Sequence, residues 1–238
     1  TNAYNIISPT ISLPEIDETE ILQYGFYLNA DMPDSDGDGD NFLEDYYSVA
    51  VLDVDALAWH PSDFEAYEGQ SWWCADQSVG GYLDSWLQYL DTPSIFIPST
   101  TSRLLAHMKW AIEEPGGASV AGTCTDGWDA ANVRISTDGG ETWSILESNT
   151  DPYDFECGYG WIWNDPEYDT GGSLNDAGLA QGWGGTSSWH VVNFNLGDYA
   201  GQEVIIRFAF GSDPAYSTGD DGSITGLQVD NIRVMDGT

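Results

Sequence analysis

Apolar residues fall at every second position through most of this chain, the period of a strand with one buried face. In "LLAHMKWAIEE" the even positions Leu104, Ala106, Met108, Trp110 and Ile112 make one face, and "QEVIIRFAFGSD" and "GLQVDNIRVMD" alternate similarly. "RISTDGGETWSIL" predicts a hairpin, with Asp138, Gly139 and Gly140 turning the chain between Val133/Ile135 and Trp143/Ile145. Many short strands joined by Gly-, Asp-, Ser- and Pro-rich loops predict an all-β fold, an antiparallel two-sheet jelly-roll β-sandwich.

The alternation also repeats. Shifted by 84 positions, "SPTISLP" from Ser8 falls on "TPSIFIP" from Thr92, and Leu22, Tyr24, Phe26 and Leu28 then fall on Ala106, Met108, Trp110 and Ile112. Asp45, Val49 and Val51 meet Asp129, Val133 and Ile135. Residues 1–58 therefore read as an extra N-terminal set of strands, a partial second copy, ahead of a sandwich over 62–238. An incomplete sheet exposes edges, so these strands are expected to pack on the second unit or on strands from another chain.

Charge narrows the partners. Forty acidic residues stand against 5 Lys and Arg in 238 residues, a formal net charge of −35. Such a surface repels phosphate backbones and anionic lipid, which argues against nucleic-acid partners and membrane insertion. The self-repulsion favours bound cations or high salt. With 41% hydrophobic and 13% aromatic residues, the chain is nonetheless expected to fold. No run of 18 apolar residues occurs, and a start at Thr1 without Met suits a processed secreted protein or an excised fragment. Three cysteines permit one disulfide; Cys124 with Cys157 is the favoured pair because both sit in loops flanking one predicted hairpin.

The densest metal-type motif is "MPDSDGDGDNFLEDYY". Asp34, Asp36 and Asp38 occupy positions 1, 3 and 5 of an EF-hand-like oxygen-ligand loop, with Gly39 at 6, Asp40 at 7 and Asp45 at 12. Asp45 replaces the usual Glu, and both flanks read as strands rather than helices. A structural Ca2+ clamp is therefore expected, as in the similar loops of thrombospondin-type repeats and dockerins, rather than a sensor.

Taken together, "DFEAYEGQSWWC", "LDTPSI", "DAANVRISTDGGETW", "GWGGTSSWHVVNFNLGDYAGQEVIIRFAFGSD" and "LQVDNIRV" resemble the jelly-roll modules of the MAM and cleaved-adhesin type. These are also appended to secreted metallopeptidases resembling immune inhibitor A. The resemblance covers roughly residues 62–238. It implies an extracellular, non-catalytic module with a structural cation, in which Glu65 of "DFE" and Asp230 of "VDN" would approach one another across the first and last strands.

Other chemistry is sparser. Trp161 and Trp163 share one face of "GYGWIWND", which would suit stacking on a sugar ring; Trp72, Trp73, Trp183 and Trp189 lie near Gly-rich loops. His60, His107 and His190 are isolated, no HExxH occurs, and no Ser-His-Asp order stands out. Arg134, Arg207 and Arg233 sit in predicted strands, each expected to be held by carboxylates of a neighbouring strand. The expectation is thus a non-enzymatic, secreted or cell-surface bacterial protein stabilised by Ca2+. It would act in adhesion or as a structural subunit of an extracellular filament or sheath, through self-association, strand exchange included, or through another extracellular protein. A carbohydrate-binding accessory module of a secreted hydrolase is the alternative.

Overall fold

Antiparallel strands carry nearly all of the regular structure in the computed structural model, which describes residues 58–164 and 179–236. The described residues belong to one compact unit, Leu57–Thr238. The extra N-terminal strands and the repeat expected over 1–58 lie outside the described residues, apart from Ala58.

The strands are β1 (Trp59–Ser62), β2 (Ser71–Cys74), β3 (Leu87–Asp91), β4 (Ile95–Phe96), β5 (Arg103–Ala111), β6 (Ala130–Ser136), β7 (Ser144–Ile145), β8 (Thr186–Asn195), β9 (Glu203–Gly211) and β10 (Gly226–Met235). One sheet has the order β1-β2-β10-β5-β8; the second has β3-β9-β6-β7, with β4 also paired to β9. The class is the expected one, a two-sheet antiparallel β-sandwich. The chain changes sheets between β2 and β3, between β4 and β5, between β5 and β6, and at each step from β7 to β10, so the termini of several strands meet at each end.

Alternation sets which side chains enter the core. Leu104, Ala106, Met108 and Trp110 of β5 face Val133 and Ile135 of β6 and Ile206, Phe208 and Phe210 of β9 across the inter-sheet space, all of them buried. The hairpin between β6 and β7 forms with Arg134 opposite Ile145, and Gly139 and Gly140 take the left-handed φ values of 78° and 95° that the turn requires.

β6 is buried on both faces because a second layer covers the outside of its sheet. There Phe155, Cys157, Trp161, Ile162, Leu179 and Ala180 pack on Ala130 and Ala209. A disulfide joins Cys124 to Cys157 across 33 residues and fastens this layer to the loop entering β6, while Cys74 remains a buried thiol. A loop of that length gives a cross-link worth roughly 3–4 kcal/mol in the chain-entropy account.

The layer contains a short helix, α1 (Tyr159–Asn164), where an extended segment was expected. Residues two apart on a helix point about 200° apart. Trp161 is consequently buried and Trp163 half exposed, so the two rings form no common platform. Asn164 closes the helix by donating through Nδ2 to the carbonyls of Gly160, Trp86 and Ser212.

Candidate metal centre

Three carboxylates converge at one end of the sandwich. Glu113 lies two residues beyond β5, Asp129 immediately precedes β6, and Asp213 lies two residues beyond β9. Ala130 and Gly211 are paired in register, which places the residues flanking them side by side. One oxygen from each of the three carboxylates lies within 4.8 Å of the others. Among the described residues this is the only such group of three or more His, Cys, Asp or Glu side chains.

Tyr82 anchors the site from below. Its ring stands edge-on to Phe210 at 4.9 Å, and its hydroxyl donates to Asp129 Oδ2 at 2.6 Å while accepting from the Glu113 amide at 3.2 Å. The Asp213 amide donates to Asp129 Oδ1 at 2.8 Å, and the Ala215 amide donates to Asp213 Oδ1 at 2.9 Å. Gly81 permits this seating, since a Cβ there would lie 2.1 Å from Thr218 Oγ1, the atom that accepts from the Tyr82 amide.

The electrostatics are unfavourable for three free anions. Burial, followed by the charge of Asp213, pushes the Glu113 carboxyl up to about 7. Burial raises Asp129 well above the usual carboxylate range, against the opposing hydrogen bonds from Tyr82 and the Asp213 amide. Asp213 is raised as well, chiefly by burial. Glu113 Oε2 is buried without a hydrogen-bond donor. A set of hard oxygen donors, one of them unpartnered, suits a hard divalent cation such as Ca2+ or Mg2+; it offers nothing to a metal that selects nitrogen or sulfur.

The residues singled out from sequence are distributed differently. Asp34, Asp36, Asp38, Asp40 and Asp45 lie outside the described residues. Glu65 and Asp230 both sit at the outer face of the first sheet. Glu65, at a left-handed φ of 44°, is in the β1–β2 loop, and its carboxylate pairs with Lys109. Asp230 Oδ2 accepts from the Ser71 hydroxyl at 3.0 Å and the Glu68 amide at 3.3 Å. Lys109 is the only lysine in the chain. In this structure an ammonium stands beside Glu65, and hydroxyl and amide donors satisfy Asp230.

That loop, residues 63–70, straps the sheet. Gln228 Nε2 donates to the Phe64 carbonyl at 2.7 Å and Trp189 Nε1 to the Glu65 carbonyl at 2.8 Å. Phe64 stacks on Trp73 at 4.4 Å, and Tyr67 on His107 at 4.0 Å.

The arginines divide. Arg207 makes a two-pronged contact with Asp91 on β3, both bonds 2.7 Å long, and lies between the rings of Trp143 and Tyr89 at 3.8 and 4.1 Å. Arg134 is buried against Trp161 at 4.7 Å and donates through Nε to Asn132 Oδ1 at 2.9 Å. Arg233, expected to be carboxylate-held, is exposed and makes no ion pair with the described residues.

Among the described residues no helix is long and apolar enough to cross a membrane. The chain matches no known family profile and no curated protein.

Proposed function

We propose that this chain is a non-catalytic extracellular β-sandwich stabilised by Ca2+, working in surface adhesion or as a structural subunit of an extracellular assembly such as a filament or sheath. The observation that carries the cation reading is the buried Glu113, Asp129 and Asp213 group with its unpartnered Glu113 oxygen. A cation there would tie the ends of β5 and β9 to the start of β6 and so lock both sheets at one end. Asp129 is fully buried and held on both oxygens, which fits a clamp better than a site that must admit substrate. The MAM and cleaved-adhesin resemblance and the Cys124–Cys157 disulfide favour an oxidising, extracellular setting, on a bacterial surface or in its secretions. The carbohydrate-binding alternative now rests on Trp163, half exposed with Tyr159 at 6.1 Å, instead of a paired Trp161 and Trp163.

Thermal unfolding with Ca2+ and with chelator tests the clamp. Calcium at about 100 times its Kd adds about 2.7 kcal/mol to stability, a rise of several degrees in the midpoint. Glu113→Gln and Asp129→Asn should each abolish most of that rise; Glu113 is partly exposed, so its variant is expected to fold even if the other does not. An unchanged wild-type midpoint in millimolar Ca2+ would sink the reading. The pH dependence has a definite sign. A carboxyl whose folded value is raised from 4.5 to about 7 contributes stability that is complete below pH 4.5 and is lost as pH rises through about 7. In chelator the midpoint should therefore fall across that window, and Ca2+ should flatten the fall by taking the place of the proton.

A further inference from the structure

Beyond the 63–70 strap, the outer face of the first sheet carries two exposed arginines that no described residue pairs. Their position depends on a bulge in β10. Asp230 pairs with His107 but Arg233 pairs with Leu105, so one extra residue enters β10 between these rungs. Asn231 takes a left-handed φ of 48° there, a conformation Asn tolerates better than most residues. A single-residue slip reverses every later side chain. Val234 is thereby set opposite Leu104 on the inner face, while Arg233 and Met235 are turned outward opposite Leu105 and Arg103. Without the bulge, Arg233 would point into the core.

Arg103 and Arg233 are consequently diagonal neighbours on one face, a spacing of roughly 7–8 Å between backbones. Both are exposed, and neither makes an ion pair or hydrogen bond with any described residue. Around them lie Leu105, Met235 at 47% exposure, Val191 at 41%, and Asn193 with a buried, unpartnered Oδ1. Asp230 on β10 and Asp236 just past its end accept from the hydroxyls of Ser71 and of Ser99 and Thr101, and neither pairs with these arginines. In a chain with 40 acidic residues and 5 Lys and Arg, almost any placement would give each cation an acid for a neighbour. Two adjacent arginines without one repel each other, a cost that an external anion would remove.

We infer that this face, Arg103 and Arg233 set among Leu105, Val191 and Met235, docks an acidic surface of a second copy of the chain. Copies carrying −35 each repel over most orientations, and at an ionic strength of about 0.15 M charges interact over only about 8 Å. Contact therefore forms where the local charge reverses. Among the described residues, Arg103 and Arg233 are the exposed cations left without a carboxylate. Two copies of this basic face repel each other, so the contact joins unlike surfaces, and contacts of that kind either close into rings or run on into open chains. The inference rests on the assembly reading above and supplies its contact.

Sedimentation of the full chain over a concentration series, at about 0.15 M salt with Ca2+ present, is the test. The wild type should associate beyond a dimer, and Arg103→Glu/Arg233→Glu should weaken association about tenfold or more, as reversing interfacial charges does. Its thermal midpoint should stay within a degree or two of wild type, because both residues are exposed. Association that persists unchanged in the double variant overturns this face and leaves assembly standing. A wild type that is monomeric throughout overturns both, independently of any calcium shift in the midpoint. A monomer retained on a heparin column through these arginines would assign the face to an acidic polysaccharide and overturn the second copy as its partner.

Discussion

On the outer face of the second sheet, Arg134 and Arg207 lie between aromatic rings and against amide or carboxylate acceptors, under a layer fastened by a disulfide. On that of the first, Lys109 is held by Glu65 of the strap, while Arg103 and Arg233 are exposed and unpaired among the described residues. Strands β5, β6, β9 and β10 supply these cations by alternation, reset in β10 by its bulge. What differs is the covering chain. A cation enclosed by rings and acceptors contributes to stability, and one left uncovered is available to a partner. The comparison also separates folding from binding, because substitutions on the two faces should move different observables.

The largest effect should come from the covered face. Trp161→Ala empties a fully buried site against Arg134 and Gly211, and a loss of about 3–5 kcal/mol is expected. Trp163→Ala, one residue beyond Ile162 on the same helix, should stay within about 0.5 kcal/mol. Equal losses for both, measured by urea unfolding, would return the segment to an extended strand with a shared face.

Next is Arg134→Ala, which removes a buried guanidinium from Trp161 and strands Asn132 Oδ1, at a cost of about 3 kcal/mol. Arg103→Ala on the other face should cost no more than about 0.5 kcal/mol. If the two variants unfold at the same urea concentration, the distinction between enclosed and bare cations fails.

Alternation made the strands and their inward faces legible, because one buried face per strand leaves a period of two in the sequence. Val133 and Ile135, Leu104 to Trp110, and the Asp138–Gly140 turn could be assigned on that basis. The helix at Tyr159–Asn164 was not legible, since six residues give less than two turns and "YGWIWN" alternates as a strand would. What makes it helical is tertiary: Gly160 passes so close to Gly211 that a Cβ would lie 2.6 Å from its carbonyl oxygen.

The carboxylate group was hidden for another reason. Glu113, Asp129 and Asp213 share no local motif, and 40 acids offer many such sets. The usable signal was their position at the ends of apolar strands that later proved adjacent. The "DSDGDGD" run drew attention because its spacing is local, whereas a site built across two sheets has no spacing to read. For Glu65 and Asp230 the opposite held: both were singled out, and the structure places them on the same strapped face. Lys109, 44 residues further along the chain on β5, pairs with Glu65 there.

Smaller effects test how firmly each face is covered. Asp91→Asn keeps the shape of the Arg207 contact but removes its charge, and about 1 kcal/mol should be lost because the pair is partly exposed. Lys109→Met should cost less, about 0.5 kcal/mol, since Glu65 is largely in solvent. Its sharper consequence is local. The strap is held by Lys109 at Glu65, by Trp189 and Gln228 at backbone carbonyls, and by two ring stacks. Losing the ion pair should raise amide exchange at Glu68, whose N–H is bonded only to Asp230, well before it affects Trp73 on β2. If exchange at Glu68 is unchanged while the whole domain loses stability, the strap is part of the core, and the first sheet is as firmly covered as the second.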